Sequence, residues 1–147
     1  MAAKMREGFH TATPFLILKD CAGAIEFYKT AFGATELMRM TDPTGRVWHA
    51  EIMIGTSPIM IDDNANVSTP DPDKLPPVSI HLYVEDADAM FKQAIAAGAK
   101  VKRPMADQFY GDRLGGIEDP FGHTWWVSTH KEDLSPAEIE KRAAASH

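Results

Sequence analysis

The sequence predicts an α+β fold: two βαβββ modules forming a cup-shaped mixed sheet with helices on its outer face, plus a C-terminal helix. Three observations predict it. The order strand, helix, three strands occurs twice. Each helix is opened by an aspartate and followed by a glycine, Asp20 with Gly33 and Asp86 with Gly98. A Pro-, Asp- and Ser-rich stretch separates the two copies. The halves align at an offset of about 66 residues, with Leu18 on Val84, Asp20 on Asp86 and Ile61 on Val127. After the helix the offset slips by one, so Gly33 falls on Gly98. Neither module buries enough surface alone, so the two must join edges or faces.

Residues 1–12 are a polar start. Thr13–Lys19 reads as a strand, with Pro14 near its beginning, where a strand tolerates proline. Asp20 caps a helix over Cys21–Phe32, whose Ala24, Ile25, Tyr28, Ala31 and Phe32 share one face. Gly33 stops it. Thr35–Met40 is a second strand, Asp42-Pro43-Thr44-Gly45 a turn, and Arg46–Ile54 a third strand. Gly55-Thr56-Ser57-Pro58 is a second turn, and Ile59–Asp62 the fourth strand.

The second copy starts with a strand over Val78–Val84, followed by a helix over Ala87–Ala97 and a strand over Ala99–Pro104. The segment Gln108–Thr129 supplies the last two strands as a hairpin. Its polar approach Tyr110-Gly111-Asp112-Arg113 reads as turn-rich, and its connection Glu118–His123 contains Asp119-Pro120 and Gly122. Ser135 then caps a surface helix over 135–146, with Pro136 at its first position and Glu138 placed for a capping box. The expected organisation is a single domain over 11–142, with module 1 at 13–63, linker 64–77, module 2 at 78–130 and the C-terminal helix at 135–146.

The totals narrow the function classes. The 147 residues are 44% hydrophobic and 24% charged, with net charge −6 and no block of Lys or Arg. Phosphate neutralisation needs clustered cations, so no nucleic-acid partner is expected. No apolar run approaches the ~18–20 residues of a membrane span, and MAAKMREGFH lacks the apolar stretch of a signal peptide. The lone Cys21 forms no internal disulfide. A cytoplasmic protein without membrane contact is expected.

The paired modules resemble the vicinal-oxygen-chelate superfamily of glyoxalase I, extradiol dioxygenases and bleomycin- and fosfomycin-resistance proteins. The segments TPFLILKDCAGAIEFYKTAFGA from Thr13, HAEIMIG from His49 and YGDRLGGIEDPFGH from Tyr110 look like its glyoxalase-like branch named after phosphonate-utilisation operons. The resemblance implies an open, cup-shaped sheet around a central site, commonly in a two-fold dimer. In metal-using members each module gives one ligand from its first strand and one from its last. Those positions fall here on Thr13, Met60, Ser79 and Trp126. None is a good divalent-metal ligand, although a two-residue slip on the same face would substitute Asp62 for Met60. No cofactor is expected.

Strand alternation then places Phe15, Ile17, Asp62, His81, Tyr83, Thr124 and Ser128 on the inward face with those four positions. On the third strand His49, Glu51 and Met53 share that face. The candidate catalytic residues are His49, Glu51, Asp62 and His81. Glu51 or Asp62 would be a base, with His49 or His81 donating to a developing enolate. The candidate ligand-binding residues are Phe15, Met60, Tyr83, Tyr110, Arg113 and Trp126. Arg113 could clamp an anion, or could lock the hairpin by pairing with Asp112, Glu118 or Asp119. His123 reads as a brace for the hairpin, Trp125 as core, and Cys21 as structural.

The leading expectation is a site for a small organic molecule without the usual metal, with proton abstraction beside a carbonyl as the most natural chemistry. One alternative is a metal-dependent lyase or dioxygenase using His49, Glu51 and His81. The other is a non-catalytic protein that sequesters a drug or antibiotic. A homodimer is expected in all three cases.

Overall fold

The computed structural model describes residues 5–67 and 75–146. The chain divides into two compact units, Met1–Thr69 and Pro70–His147. Of the linker expected over 64–77, residues 68–74 lie outside the described residues.

The first unit contains β1 (Phe15–Leu18), α1 (Cys21–Phe32), β2 (Thr35–Thr41), β3 (Val47–Ile54) and β4 (Ser57–Asp63). They form a four-stranded sheet in the order β1-β4-β3-β2. β1 runs parallel to β4, and the other pairs are antiparallel. Leu16, Leu18, Ala50, Ile52, Ile54, Ile59 and Ile61 are buried in the core, as are Ala24, Ile25, Tyr28 and Phe32 of α1. Each large apolar side chain so buried contributes about 1.5–3 kcal/mol. The alternation that buries these residues turns Phe15, Ile17, His49, Glu51, Met60 and Asp62 to the other face of the sheet.

α1 begins as its sequence requires. Asp20 has φ of 67°, and its carboxylate accepts from the Gly23 amide at 3.0 Å. A side chain on Gly23 would run into that carboxylate, so the cap and the glycine depend on each other. Gly33 ends the helix in the left-handed conformation. Ser57 and Pro58, expected in a turn, are instead the first residues of β4, because Gly55 at φ 57° already reverses the chain.

The second unit contains β5 (Ile80–Tyr83), α2 (Ala87–Ala97), β6 (Lys100–Asp107), β7 (Asp112–Glu118), β8 (Thr124–His130) and α3 (Pro136–Ser146). The sheet order is β5-β8-β7-β6, the same arrangement as in the first unit, with β5 parallel to β8. Asp112 and Arg113, expected in a turn, open β7 instead. The reversal is completed earlier, at Gly111, whose φ is 100°. A side chain there would also lie 2.6 Å from the Glu132 carbonyl oxygen.

The hairpin connection is braced from within. Asp119, 4% exposed, accepts from the amides of Phe121 and His123 at 2.9 Å each and from the Trp125 indole at 2.8 Å. Trp125 is fully buried, as expected. In α3 the Ser135 hydroxyl accepts from the Glu138 amide at 3.1 Å. The Glu138 carboxylate accepts from Arg142 at 3.2 Å, so it points along the helix toward Arg142. No helix among the described residues is long and apolar enough to cross a membrane.

Candidate functional site

Two groups of side chains occupy the helix-free faces of the two sheets. On the first, His49 and Glu51 are two apart on β3, and Asp62 lies opposite His49 on β4. His49 Nδ1 is 2.5 Å from Asp62 Oδ1, and its Nε2 is 3.1 Å from Glu51 Oε2. The chain continues to Arg6, whose Nη1 and Nη2 donate to Glu51 Oε2 and Oε1 at 2.9 and 2.6 Å. The order Arg6–Glu51–His49–Asp62 therefore alternates basic and acidic side chains. Glu51 is 3% exposed and His49 13%, whereas Asp62 is 37% exposed.

These contacts set the charge states. The Arg6 hydrogen bonds, opposed by burial and aided by His49, hold the Glu51 carboxyl below its usual range. Burial works against a charged His49, but hydrogen bonds to Asp62 and Glu51 outweigh it and raise the imidazole above its ordinary value. A carboxylate so stabilised is a weak base. Of the two expected bases, Asp62 is the one with accessible surface. Phe15 lies beside this group, its ring 6.3 Å from that of His49, and Met60 is the cross-strand neighbour of Glu51.

Sequence reasoning did not find Arg6, since an irregular N-terminal segment gives no periodic cue to where it docks. The segment is anchored. Arg6 also lies over the Phe9 ring at 4.3 Å, and His10 Nε2 meets the Thr56 carbonyl at 3.1 Å.

On the second sheet, backbone register aligns Arg103, Gly116, Trp126 and His81 in one row across β6, β7, β8 and β5. Gly116 leaves a gap in that row. A side chain there would collide with the Trp126 ring, with Cε3 2.8 Å away. Across the gap, the Arg103 guanidinium lies 5.6 Å from the Trp126 ring centroid. His81, Arg103, Tyr110, Leu114 and Trp126 line a pocket of about 230 Å³.

Hydrogen bonds hold two of the pocket walls. The Trp126 indole donates to Ser79 Oγ at 2.9 Å. His81 Nε2 is 2.6 Å from Ser128 Oγ, and the ring stacks on Tyr83 at 4.6 Å. The Ser128 hydroxyl donates to the Leu82 carbonyl at 3.2 Å, so it accepts from His81 Nε2–H and leaves Nδ1 as an acceptor. Burial lowers the His81 pKa and raises that of Tyr110, which keeps the imidazole neutral and the phenol protonated. Sequence reasoning also missed Arg103. It lies between two register shifts of β6, which alternation does not anticipate.

Arg113 is a correction. It projects toward α2, on the face opposite Trp126, and its Nε and Nη2 bind Asp88 at 2.7 and 3.0 Å while Nη1 reaches Asp107 at 3.3 Å. It ties β7 to α2 and β6. None of its expected partners Asp112, Glu118 and Asp119 is in this set, and it stands apart from the candidate ligand-binding residues. Cys21 is fully buried, and its thiol is pushed up to about 11 by desolvation and then by Asp63 and Asp62. That suits a packed residue rather than a nucleophile.

Among the described residues no group of three or more His, Cys, Asp or Glu side chains is arranged to hold a metal ion. Of the positions carried over as ligands, Thr13 donates to the His10 carbonyl, and Ser79 and Trp126 bond to each other.

Comparison with known proteins agrees with this architecture. The model of the Glyoxalase/Bleomycin resistance protein/Dioxygenase superfamily matches residues 9–127. An uncharacterized protein of Mycobacterium bovis is 39% identical over 134 residues, covering 87% of this chain and 88% of that relative. Among solved structures, a gene product of Arabidopsis thaliana is 27% identical with a TM-score of 0.65, over 84% of this chain and 99% of that one. TioX from a Micromonospora species is 23% identical with a TM-score of 0.65, over 86% of this chain and 100% of that one.

Proposed function

The chain belongs to the glyoxalase/bleomycin resistance protein/dioxygenase superfamily, and we propose that it binds a small organic molecule in the pocket of His81, Arg103, Tyr110, Leu114 and Trp126. The observation that carries this reading is the Trp126 indole, seated against Gly116 and hydrogen-bonded to Ser79 at 2.9 Å. A rigid aromatic wall beside a few placed polar groups is how small-molecule sites are built. The segments at His49–Gly55 and Tyr110–His123 favour the phosphonate-operon-type branch within the superfamily.

The test is a fragment titration followed by amide and indole N–H resonances. Shifts should concentrate on Trp126, His81 and Tyr110, and Trp126→Ala should remove them while the remaining spectrum stays folded. Shifts elsewhere, or shifts that survive in Trp126→Ala, would sink the proposal. Recovery of the bound compound unchanged supports a sequestering role, and conversion supports an enzyme.

A second reading rests on the Arg6–Glu51–His49–Asp62 chain. Asp62, the more exposed of the two carboxylates, would take a proton from carbon beside a carbonyl, with His49 orienting it and Arg6 holding Glu51 in place. Deuterium exchange into a bound ketone, lost in Asp62→Asn with binding retained, is the outcome this reading requires. The metal-dependent alternative would need His49 Nε2 and Glu51 to give up their bond to each other, and Glu51 to give up its bonds to Arg6. A stoichiometric, activity-restoring metal in protein purified without chelator would overturn the metal-free reading.

A further inference from the structure

We infer that the ligand of the second-module pocket is a flat organic anion, with its carboxylate or equivalent acid group on Arg103 and its plane against Trp126. The inference deepens the binding reading above and rests on it.

The first support is that the Arg103 charge is uncompensated. Arg6, Arg39, Arg46, Arg113 and Arg142 each form ion pairs with a carboxylate. Among the described residues Arg103 has no carboxylate partner within ion-pair distance, and its guanidinium lies over the Trp126 ring. In a chain of net charge −6, with 21 acidic residues, that isolation is a local feature rather than a shortage of acids. A guanidinium lying on an aromatic face keeps its in-plane N–H donors for another group, and its fork matches a carboxylate in two bonds.

The second support is the glycine gap. Arg103 and Trp126 belong to strands separated by β7, and they meet only because Gly116 lies between them in the row. Any larger residue there would displace the indole. The corresponding row of the first unit runs Met38, Glu51, Met60 and Phe15, with a carboxylate where the second unit has the glycine. The two rows thus share a frame but carry their charged side chain on different strands, Glu51 on β3 and Arg103 on β6. The third support is the set of neutral groups beside Arg103. Tyr110 supplies a protonated phenol, and His81 Nδ1 is an acceptor. Together they suit an acid that also carries a hydroxyl or enol.

Benzoate and its neutral isostere benzamide are the probes, titrated into the full chain and followed at the Trp126 indole N–H and at the His81 and Tyr110 amides. Benzoate should bind about tenfold more tightly than benzamide, as a charge-assisted pair requires. Arg103→Met should bring the two within about twofold by weakening benzoate alone, and Arg103→Lys should restore part of the preference. Equal affinities in the unmodified protein, or a benzoate preference that survives in Arg103→Met, would overturn the anion inference. If benzamide binding is still lost in Trp126→Ala, that result leaves the small-molecule reading standing. If neither probe perturbs Trp126, both the inference and the reading beneath it fail.

Discussion

Arg6 grips Glu51 through two hydrogen bonds, of 2.9 and 2.6 Å, although 45 residues separate them in the chain. Glu51 is almost fully buried, while Arg6 keeps 58% of its side-chain surface in solvent. The pair fixes Glu51 as an anion that positions His49 rather than as a free base. Arg6→Ala should raise the Glu51 pKa and lower the melting midpoint near neutral pH. Carboxyl-resolved NMR titration reads the first effect, and an unchanged Glu51 titration would show the contact to be incidental. Glu51→Gln should cost about 1–3 kcal/mol, because it leaves the Arg6 guanidinium and the largely buried His49 with a neutral amide in place of a buried carboxylate.

The same chain gives stability a defined pH window. The folded pKa of His49 lies above its ordinary 6.5, so its stabilisation is complete below 6.5 and is lost as pH rises through the folded value. The folded pKa of Glu51 lies below its ordinary 4.5, so its stabilisation is present above 4.5 and is lost as pH falls through the folded value. The contribution of the cluster is therefore greatest between about pH 4.5 and 6.5. Denaturant midpoints measured across pH should lose part of their alkaline decline in His49→Gln. A His49 ring titrating at or below the ordinary imidazole value contradicts this.

Adjacent glycines should separate the two faces of the second sheet. A side chain on Gly115 would lie 2.5 Å from Met105 Sδ and 2.9 Å from Phe91 Cε2, on the α2 side. One on Gly116 would enter the Trp126 ring. Either alanine substitution should destabilise by about 1–3 kcal/mol, the usual cost of overpacking. Only Gly116→Ala should abolish probe binding. Equal binding losses in both variants would show that the glycines act through global stability.

Arg113 should behave as a brace. Arg113→Met removes its bonds to Asp88 and Asp107 and should lower the melting midpoint. The probe Kd should stay within about twofold, since the change is on the opposite face from the pocket. A large loss of affinity with unchanged stability would return Arg113 to the binding residues.

Asp119 is the structural centre of the last hairpin. Asp119→Ala removes acceptors for two amides and the Trp125 indole, and should cost about 2–4 kcal/mol. Thermal unfolding monitored by near-UV dichroism reads the loss, which should be accompanied by a disturbed Trp125 signal. Unchanged stability would mean that water replaces the carboxylate without cost.

The repeated frame was legible in the residue pattern alone. Two helices with aspartate caps and glycine stops, at nearly one offset, fixed the repeated βαβββ order, because caps and periodicity are local properties. The same period-two alternation correctly put His49, Glu51 and Asp62 on one face and Trp125 in the core. It gave no access to Arg6, whose docking on Glu51 is a long-range contact made by an irregular segment. Nor did it give Arg103, because the register shifts flanking that residue break the alternation on which such a forecast depends. For Arg113 the residue pattern left an anion clamp and a structural lock both open, and only the packing of α2 against β7 brought Asp88 within 2.7 Å of it. Tertiary structure decided which charges are spent on the fold and which remain available, because an ion pair is settled by proximity in space and not by spacing along the chain.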